Sequence, residues 1–394
     1  MNYPKIILKP GKEDSFHRFH PWVFSGAIYR FEKQPEEGDI VEVTDHQGNF
    51  IGVGQYQIGS IAVRILSFKP VTIDEAFYVN RLQEAYNVRL SLRLLNENYN
   101  NTCRLVHGEG DNLPGLIIDL YDRTAVMQAH TPGMHYARHQ IAEALKKVLG
   151  NHIDNIYYKS ETTLPYKAAL GAENEYLLGG DAPNIAIENG LKFYVDWVRG
   201  QKTGFFVDQR ENRALLERYA RGRSVLNMFC YTGGFSFYAM RGAAKLVHSV
   251  DSSAKAIDLT CRNVELNFPG DTRHQAFAED AFKYLDTMGD QYDLIILDPP
   301  AFAKHKKVLN NALQGYRKLN AKAIEKIRPG GILFTFSCSQ VVSKENFRLA
   351  VFSAAAQSGR NVRILHQLTQ PADHPINIYH PEGEYLKGLV LYVE

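Results

Sequence analysis

Two short apolar runs each end on a group that can do chemistry. Residues 292–300 read YDLIILDPP and release the carboxylate of Asp298 where the run gives out. A second run, GGILFTFSCS, releases the thiol of Cys338 between Ser337 and Ser339. A short, nearly continuous apolar stretch marks a strand buried on both faces of a parallel sheet. Ligands of open α/β sheets bind at the carboxyl ends of the strands, so this carboxylate and this sulfur are expected to share one cleft. A thiolate can attack an electron-poor carbon and divide one hard step into two easier ones. A carboxylate beside it can stabilise the charge that develops. Taken alone, Cys338 reads as a buried structural thiol; its place at a strand end, opposite D-P-P, favours catalysis. Cys230 is the rival, better suited to packing against a ligand, and Cys103 and Cys261 read as structural.

A second constellation lies upstream. A strand runs into Asn227-Met-Phe-Cys-Tyr-Thr-Gly-Gly-Phe235, where adjacent glycines let the backbone turn tightly and approach a ligand before the next helix. Asn227, Phe229, Tyr231, Thr232 and Gly233 are the expected contacts. Asp251, with Ser252 beside it, ends the next strand and can accept from ribose hydroxyls; Asp280 follows the third strand and can meet an adenine edge. Asp298 and Pro299 complete the set. Each acid singly reads as a surface or capping residue, but three at successive strand ends beside a Gly-Gly turn favour a site. The G-x-G-x-x-G fingerprint and the Lys-Ser/Thr ending of a phosphate loop are both absent. An adenosine ligand without pyrophosphate fits better, and S-adenosylmethionine is the candidate cofactor.

The elements that must position these groups follow from pattern. A chain of 394 residues is expected to form two or three domains. Residues 1–72 read as short strands with turns, a small β-barrel. Residues 73–184 read as an α+β unit: a helix from Asp74 to about Glu97 with Asp74 as N-cap, three strand-like runs, a helix over 134–149 and a strand at NIYYKS. Gly179–Asn184 is the linker. From 185 to 394 a hairpin precedes αβ alternation, with strands at 225–229, 245–250, 273–278, 292–297 and 331–337, helices at 235–241, 253–267 and 310–327, and two closing strands. Such alternation predicts a mostly parallel sheet.

Charge is nearly balanced, 45 basic against 43 acidic residues, but 301–330 carries eight basic residues and only Glu325. A basic surface beside the cleft attracts a polyanion; solvated helix faces are the alternative. No apolar run reaches the roughly 18–20 residues that span a bilayer, the N-terminus lacks a signal-peptide pattern, and the four cysteines show neither disulfide nor metal spacing. A cytoplasmic protein without membrane contact or metal is expected.

With these residues in hand, the chain resembles the class I S-adenosylmethionine-dependent 23S ribosomal RNA cytosine-5 methyltransferases of the ribosomal RNA large subunit methyltransferase I family. The likeness runs end to end: HPWVFSGAI at 20–28, DHQGNF at 45–50, GEGDNLPGLIID at 108–119, KTGFFVDQR at 202–210, YTGGFS at 231–236, LDPPAF at 297–302, TFSCS at 335–339, and ADHP and YHPEGEYLKG within 372–388. The resemblance implies an N-terminal PUA domain that binds RNA, a central α+β domain and a C-terminal Rossmann-like methyltransferase sheet. It further implies 23S ribosomal RNA, as the large subunit or its precursor, as partner, and it admits a homodimer.

The implied chemistry is methylation of cytosine carbon 5, with Cys338 adding to carbon 6 and Asp298 hydrogen-bonding ring nitrogen 3 and the exocyclic amine. Gln209 is implied to touch the methionine end of the cofactor or to order the loop near it, and Arg210 to be a contact there or a structural ion pair. Lys202, Pro300, Phe302, Lys304, Lys306 and Lys307 are the expected RNA contacts, and the basic 304–307 segment is a candidate for lowering the thiol pKa. Trp22 and Phe24 are expected either to stack a base or to serve the core. One departure stands out. Many RNA cytosine-5 methyltransferases carry a second cysteine directly after the two prolines, where this chain has Ala301, so the base that removes the carbon 5 proton stays unassigned among Asp298, water and a neighbouring group. Two rivals remain: an amino-group methyltransferase for adenine or guanine, for which Cys338 is superfluous, and a non-catalytic RNA-binding assembly factor, for which cofactor binding is.

Overall fold

The computed structural model describes residues 3–96, 99–165, 170–180, 182–303 and 305–394. By its internal contacts the chain divides into two units. One comprises Met1–Gly190, Val195–Val207 and Ala372–Gly383; the other comprises Leu191–Tyr194, Asp208–Pro371 and Glu384–Glu394.

The first unit opens with strands β1 (Lys5–Leu8), β2 (Trp22–Phe24), β3 (Ile28–Phe31), β4 (Ile40–Thr44), β5 (Phe50–Tyr56) and β6 (Ile61–Ser67), paired in the order β2-β6-β5-β4-β1-β3. Val41 and Val43, two apart on β4, both point into the core with Ile6, Leu8, Val23, Val63 and Ile65, as the period of a strand requires. A short helix, α1 (Asp14–His17), sits between β1 and β2.

Helix α2 (Glu75–Ser91) follows, and the Asp74 carboxylate accepts from Phe77 N at 3.0 Å, the expected cap. The helix stops six residues before Glu97. Arg93 has a left-handed φ of 56°, which an α-helix cannot continue through. A five-stranded sheet, β11-β10-β9-β8-β7, is built from β7 (Thr102–His107), β8 (Leu116–Tyr121), β9 (Thr124–Ala129), β10 (Asn155–Tyr158) and β11 (Glu175–Leu178). The single helix expected over 134–149 is two, α3 (Pro132–Tyr136) and α4 (Arg138–Leu149); α3 has Thr131 as cap and Pro132 at its first turn. The last strand of this unit is β12 (Ile185–Glu188).

The Ala372–Gly383 segment is locked into the first unit by buried charge. Arg89 makes two bonds to the Asp111 carboxylate, 2.5 and 2.8 Å, and donates to the Asp373 carbonyl at 2.7 Å. The Asp373 carboxylate accepts from Arg104 N at 2.9 Å. Arg104 in turn grips Asp119, which accepts from Thr203 Oγ1 at 2.6 Å. The motifs at 108–119 and 372–375 and Thr203 are thus joined in one network of ion pairs and hydrogen bonds, although no sequence spacing links them.

The second unit begins with β13 (Leu191–Tyr194) and α5 (Arg210–Ala220). It then alternates: β14 (Ser224–Met228), α6 (Gly234–Arg241), β15 (Leu246–Asp251), α7 (Ala254–Asn267), β16 (His274–Ala278), α8 (Ala281–Thr287), β17 (Leu294–Leu297), α9 (Leu309–Lys326), β18 (Gly331–Ser337), α10 (Lys344–Ser358), β19 (Val362–Leu368) and β20 (Lys387–Val393). The sheet order is β16-β15-β14-β17-β18-β20-β19, parallel except where β20 runs against β18 and β19. Strands β14, β17 and β18 are buried at every position, because helices cover both faces of such a sheet. The order reverses between β14 and β17, the switch point where doubly wound folds place their ligands.

Candidate active site

At that switch point the chain leaves β14 through a strained loop. Phe229 (φ 59°), Tyr231 (φ 48°) and Gly233 (φ 85°) are all left-handed, a conformation costing most L-residues roughly 1–2 kcal/mol each. Only glycine fits the last position: a Cβ on Gly233 would lie 2.7 Å from both Phe237 and Thr260. Helix α7 braces the loop from outside. Thr260 Oγ1 donates to the Tyr231 carbonyl at 2.9 Å, and Asn263 Nδ2 donates to the Thr232 carbonyl at 3.2 Å. These two side chains, missed by sequence reasoning, announce themselves only as polar residues on the buried face of a helix.

The Asp251 carboxylate sits beside the loop, accepting from Tyr231 N at 3.0 Å and from Ser253 N at 2.9 Å. A carboxylate has about four acceptor sites, so capacity remains for a ligand. Ser252 is exposed next to it. Asn227 is buried; its Nδ2 donates to Ser236 Oγ at 2.9 Å, while its Oδ1 and the Thr232 hydroxyl are buried without hydrogen-bond partners among the described residues. Buried polar atoms of this kind carry a desolvation cost until something pairs with them. Cys230 is nearly fully buried, and burial pushes its thiol up, with Asp251 adding to the effect; it is a poor nucleophile. Asp280 is exposed, and its carboxylate caps α8, accepting from Phe282 N and Lys283 N at 3.0 Å each.

Across the switch point, Asp298 follows β17 and is half-buried. Its pKa is pushed up to about 7, first by loss of water and then by the nearby Asp208; a Gln209 hydrogen bond and the Arg213 charge pull the other way. Gln209 Nε2 donates to Asp298 Oδ2 at 3.1 Å, and Asn212 fixes the amide by donating to Gln209 Oε1 at 2.6 Å. Asp208 accepts from the Tyr385 hydroxyl at 2.7 Å. Arg210 is buried and 3.4 Å from a Glu211 oxygen.

The loops after β17 and β18 are tied together. The strands pair with Leu297 opposite Thr335, and Ser339 Oγ donates to the Ala303 carbonyl at 2.6 Å. Cys338, partly exposed, stands between Ser337 and Ser339. Ser337 Oγ donates to the Tyr316 hydroxyl at 2.9 Å, and that phenol, pushed up to about 12 chiefly by burial, also feels the charges of Cys338 and Asp298. Phe302 packs against the Tyr316 ring at a tilt of 34°, centroids 4.6 Å apart, so the D-P-P-A-F loop rests on α9. Pro299 is buried; Pro300, Lys306 and Lys307 are exposed, and Lys304 lies outside the described residues. Asp298, Pro299, Gln209, Cys338 and the Asn227–Gly233 loop therefore share the carboxyl edge of one sheet.

Lys202 belongs to the first unit, exposed and left-handed (φ 53°). Also in that unit, Trp22 Nε1 donates to Glu109 at 2.8 Å while Phe24 is 46% exposed; Trp22 is held by the fold and Phe24 is available. His20, His380 and Glu382 gather there too. Trp22 N donates to His20 Nδ1 at 3.3 Å, leaving the proton on Nε2, 3.4 Å from Glu382, so a hydrogen bond accounts for that pair.

The S-adenosylmethionine-dependent methyltransferase family matches over residues 167–380, and a PUA-like domain matches over residues 6–68. Ribosomal RNA large subunit methyltransferase I of Tolumonas auensis is 42% identical, aligned over 98% of either chain. Those of Alteromonas mediterranea and Klebsiella pneumoniae are 40% and 37% identical, each over 99% of this chain and 98% of the relative. The chain belongs to the ribosomal RNA large subunit methyltransferase I family. A Streptococcus mutans structure described as a SAM-dependent methyltransferase shares the fold at a TM-score of 0.84 and 22% identity, over 99% of this chain and all of that one. The cofactor of this methyltransferase is S-adenosylmethionine, and the residues fit it. A glycine-hinged loop without a phosphate-binding signature, the Asp251 acceptor and the unpartnered Asn227 and Thr232 oxygens suit an uncharged adenosine better than a pyrophosphate. Among the described residues no helix is long and apolar enough to cross a membrane.

Proposed function

We propose that this enzyme methylates carbon 5 of one cytosine in 23S ribosomal RNA, in the cytoplasm, through a covalent adduct at Cys338. The observation that carries the reading is the Ser339–Ala303 hydrogen bond, which joins the thiol's loop to the loop of a carboxyl whose pKa lies near 7.

Carbon 5 of cytosine is too weak a nucleophile to act unaided. The Cys338 thiolate adds to carbon 6, the ring electrons move toward nitrogen 3, and neutral Asp298 gives its proton to that nitrogen. Carbon 5 thereby becomes enamine-like. S-adenosylmethionine, when bound, supplies the electrophilic methyl group that this carbon accepts. Water takes the carbon 5 proton, the electrons of that bond re-form the carbon 5–carbon 6 double bond, the sulfur leaves with its electron pair, and nitrogen 3 returns its proton to Asp298. A carboxyl that still holds part of its proton population near pH 7 suits this role better than an ordinary aspartate, which holds almost none to give.

Asp251, Ser252, Asn227, Phe229, Tyr231, Thr232, Gly233, Gln209, Asp280 and Pro299 are assigned to the cofactor side. The capping role of Asp280 is compatible with this, since capping engages only one carboxylate oxygen. Pro300, Phe302, Lys202, Lys304, Lys306 and Lys307 are assigned to RNA. Mass mapping of large-subunit ribosomal RNA from cells lacking the protein tests the proposal. One 5-methylcytidine should disappear; loss of a methylated purine instead would favour the amino-group reading.

A further inference from the structure

Thiolate chemistry at Cys338 requires a reason for the sulfur to ionise, and the exposed lysines at 306 and 307 are poorly placed to supply one. Water surrounds them, which screens their charge. The second unit contains a better cation. Lys387 is the first residue of β20 and lies directly across from Ser337, the residue before Cys338. It is only 6% exposed, unusual for a lysine. Its ammonium group does not reach solvent but turns onto the segment that follows Cys338, donating to the carbonyls of Ser339 at 2.5 Å and Val342 at 2.7 Å. Among the described residues no carboxylate lies within ion-pair distance of it: the nearby Glu384 is engaged by Lys344.

We infer that Lys387 is a positioning residue for Cys338, a buried cation that clamps the loop carrying the thiol and stabilises its thiolate. This rests on the reading of Cys338 as the nucleophile. The thiol proton passes to water and the ammonium keeps its own. Two features agree with the assignment. Burial lowers the lysine pKa to about 8, and Cys338 is the foremost group resisting that fall, with Glu384 also resisting and Lys344 assisting it. A cation bound to neutral carbonyls has its charge uncancelled, and a neighbouring thiolate is what such a charge favours. The other titratable groups at the site are Tyr316 from α9 and Asp298 from the β17 loop. An ionised Asp298 opposes the thiolate, so the cation has something to overcome.

The test is the pH dependence of iodoacetamide labelling at Cys338 in the full-length chain without cofactor, quantified on the Cys338 peptide. Cys261, exposed, is replaced by Cys261→Ser to simplify the reading. The labelling midpoint of the parent is expected below about 8.5, the ordinary thiol value. In Lys387→Met it should rise by about one unit or more, a roughly tenfold drop in labelling at pH 7, and Lys387→Arg should restore much of the shift. An unchanged midpoint in a folded Lys387→Met protein overturns the inference. So does a parent midpoint at or above about 8.5, which needs no variant to fold. If Lys387 governs the midpoint but no RNA adduct forms at Cys338, the catalytic reading fails while the pairing stands.

Discussion

In the proposed mechanism Asp298 and Cys338 place opposite demands on pH. Cys338 would act ionised, and Asp298, with a pKa near 7, would act neutral. Single-turnover methylation is therefore expected to follow a bell-shaped profile, its acid limb belonging to the thiol and its alkaline limb to the carboxyl. Asp298→Asn should remove the alkaline limb and slow the reaction by about 10²–10³-fold; an alkaline limb persisting in that variant would refute the assignment. The same shift bears on stability. The folded chain holds this proton to about pH 7, whereas an unfolded aspartate releases it near 4. Folding is therefore favoured at low pH through this group, and the contribution fades as pH climbs from about 4 to about 7. Denaturant midpoints of parent and Asp298→Asn should diverge across that window. Cys338→Ala should lower turnover at least about a thousandfold while calorimetry shows S-adenosylmethionine still bound. Retained turnover would point to methylation of an amino group, which needs no sulfur.

At the scale of elements, the loop from β14 to α6 is held by α7 through its carbonyls. Thr260→Val keeps the shape and removes the bond to the Tyr231 carbonyl, which should cost about 1–3 kcal/mol. Calorimetric affinity for S-adenosylmethionine is expected to fall by roughly tenfold or more, without loss of the thermal unfolding transition. Unaltered affinity would mean that the loop is set by its own turns. Gly233→Ala should be worse, since it adds left-handed strain to an overlap with Phe237 and Thr260.

Elements with a clear period were legible in the sequence. The strands expected at 245–250 and 331–337 correspond to Leu246–Asp251 and Gly331–Ser337, the second because a sheet covered on both faces demands a nearly continuous apolar run. Helix α10 escaped notice: Leu349 and Phe352 are 58% and 65% exposed, so its apolar residues do not mark one face. Helix α8 is short, and its cap, Asp280, reads equally well as a ligand. Lys387 was silent for another reason. A lysine opening an apolar strand normally extends to water, and only the pairing of β20 with β18 turns it inward.

At the scale of the whole molecule, what escapes sequence reading is contact between distant segments. Arg89, Asp111, Arg104, Asp119, Thr203 and Asp373 form one buried network, and no local pattern joins residue 89 to residue 373. Arg89→Met should destabilise the protein by about 3–5 kcal/mol by leaving Asp111 buried without its partner; a thermal shift smaller than a few degrees would show that water repairs the site. For RNA, affinity should fall steeply with salt, and replacing Lys306 and Lys307 by alanine should flatten the logarithmic slope by about 1.4 for single-stranded contacts. An unchanged slope would move the RNA surface elsewhere.

The most direct measurement uses RNA carrying 5-fluorocytidine, in which carbon 5 has no proton to lose and the sulfur cannot leave. Incubated with the full-length protein and S-adenosylmethionine, then digested and weighed by mass spectrometry, the substrate is expected to remain bonded to the Cys338 peptide. A methylated RNA product with no adduct, or an adduct on Cys230 instead, would contradict the account.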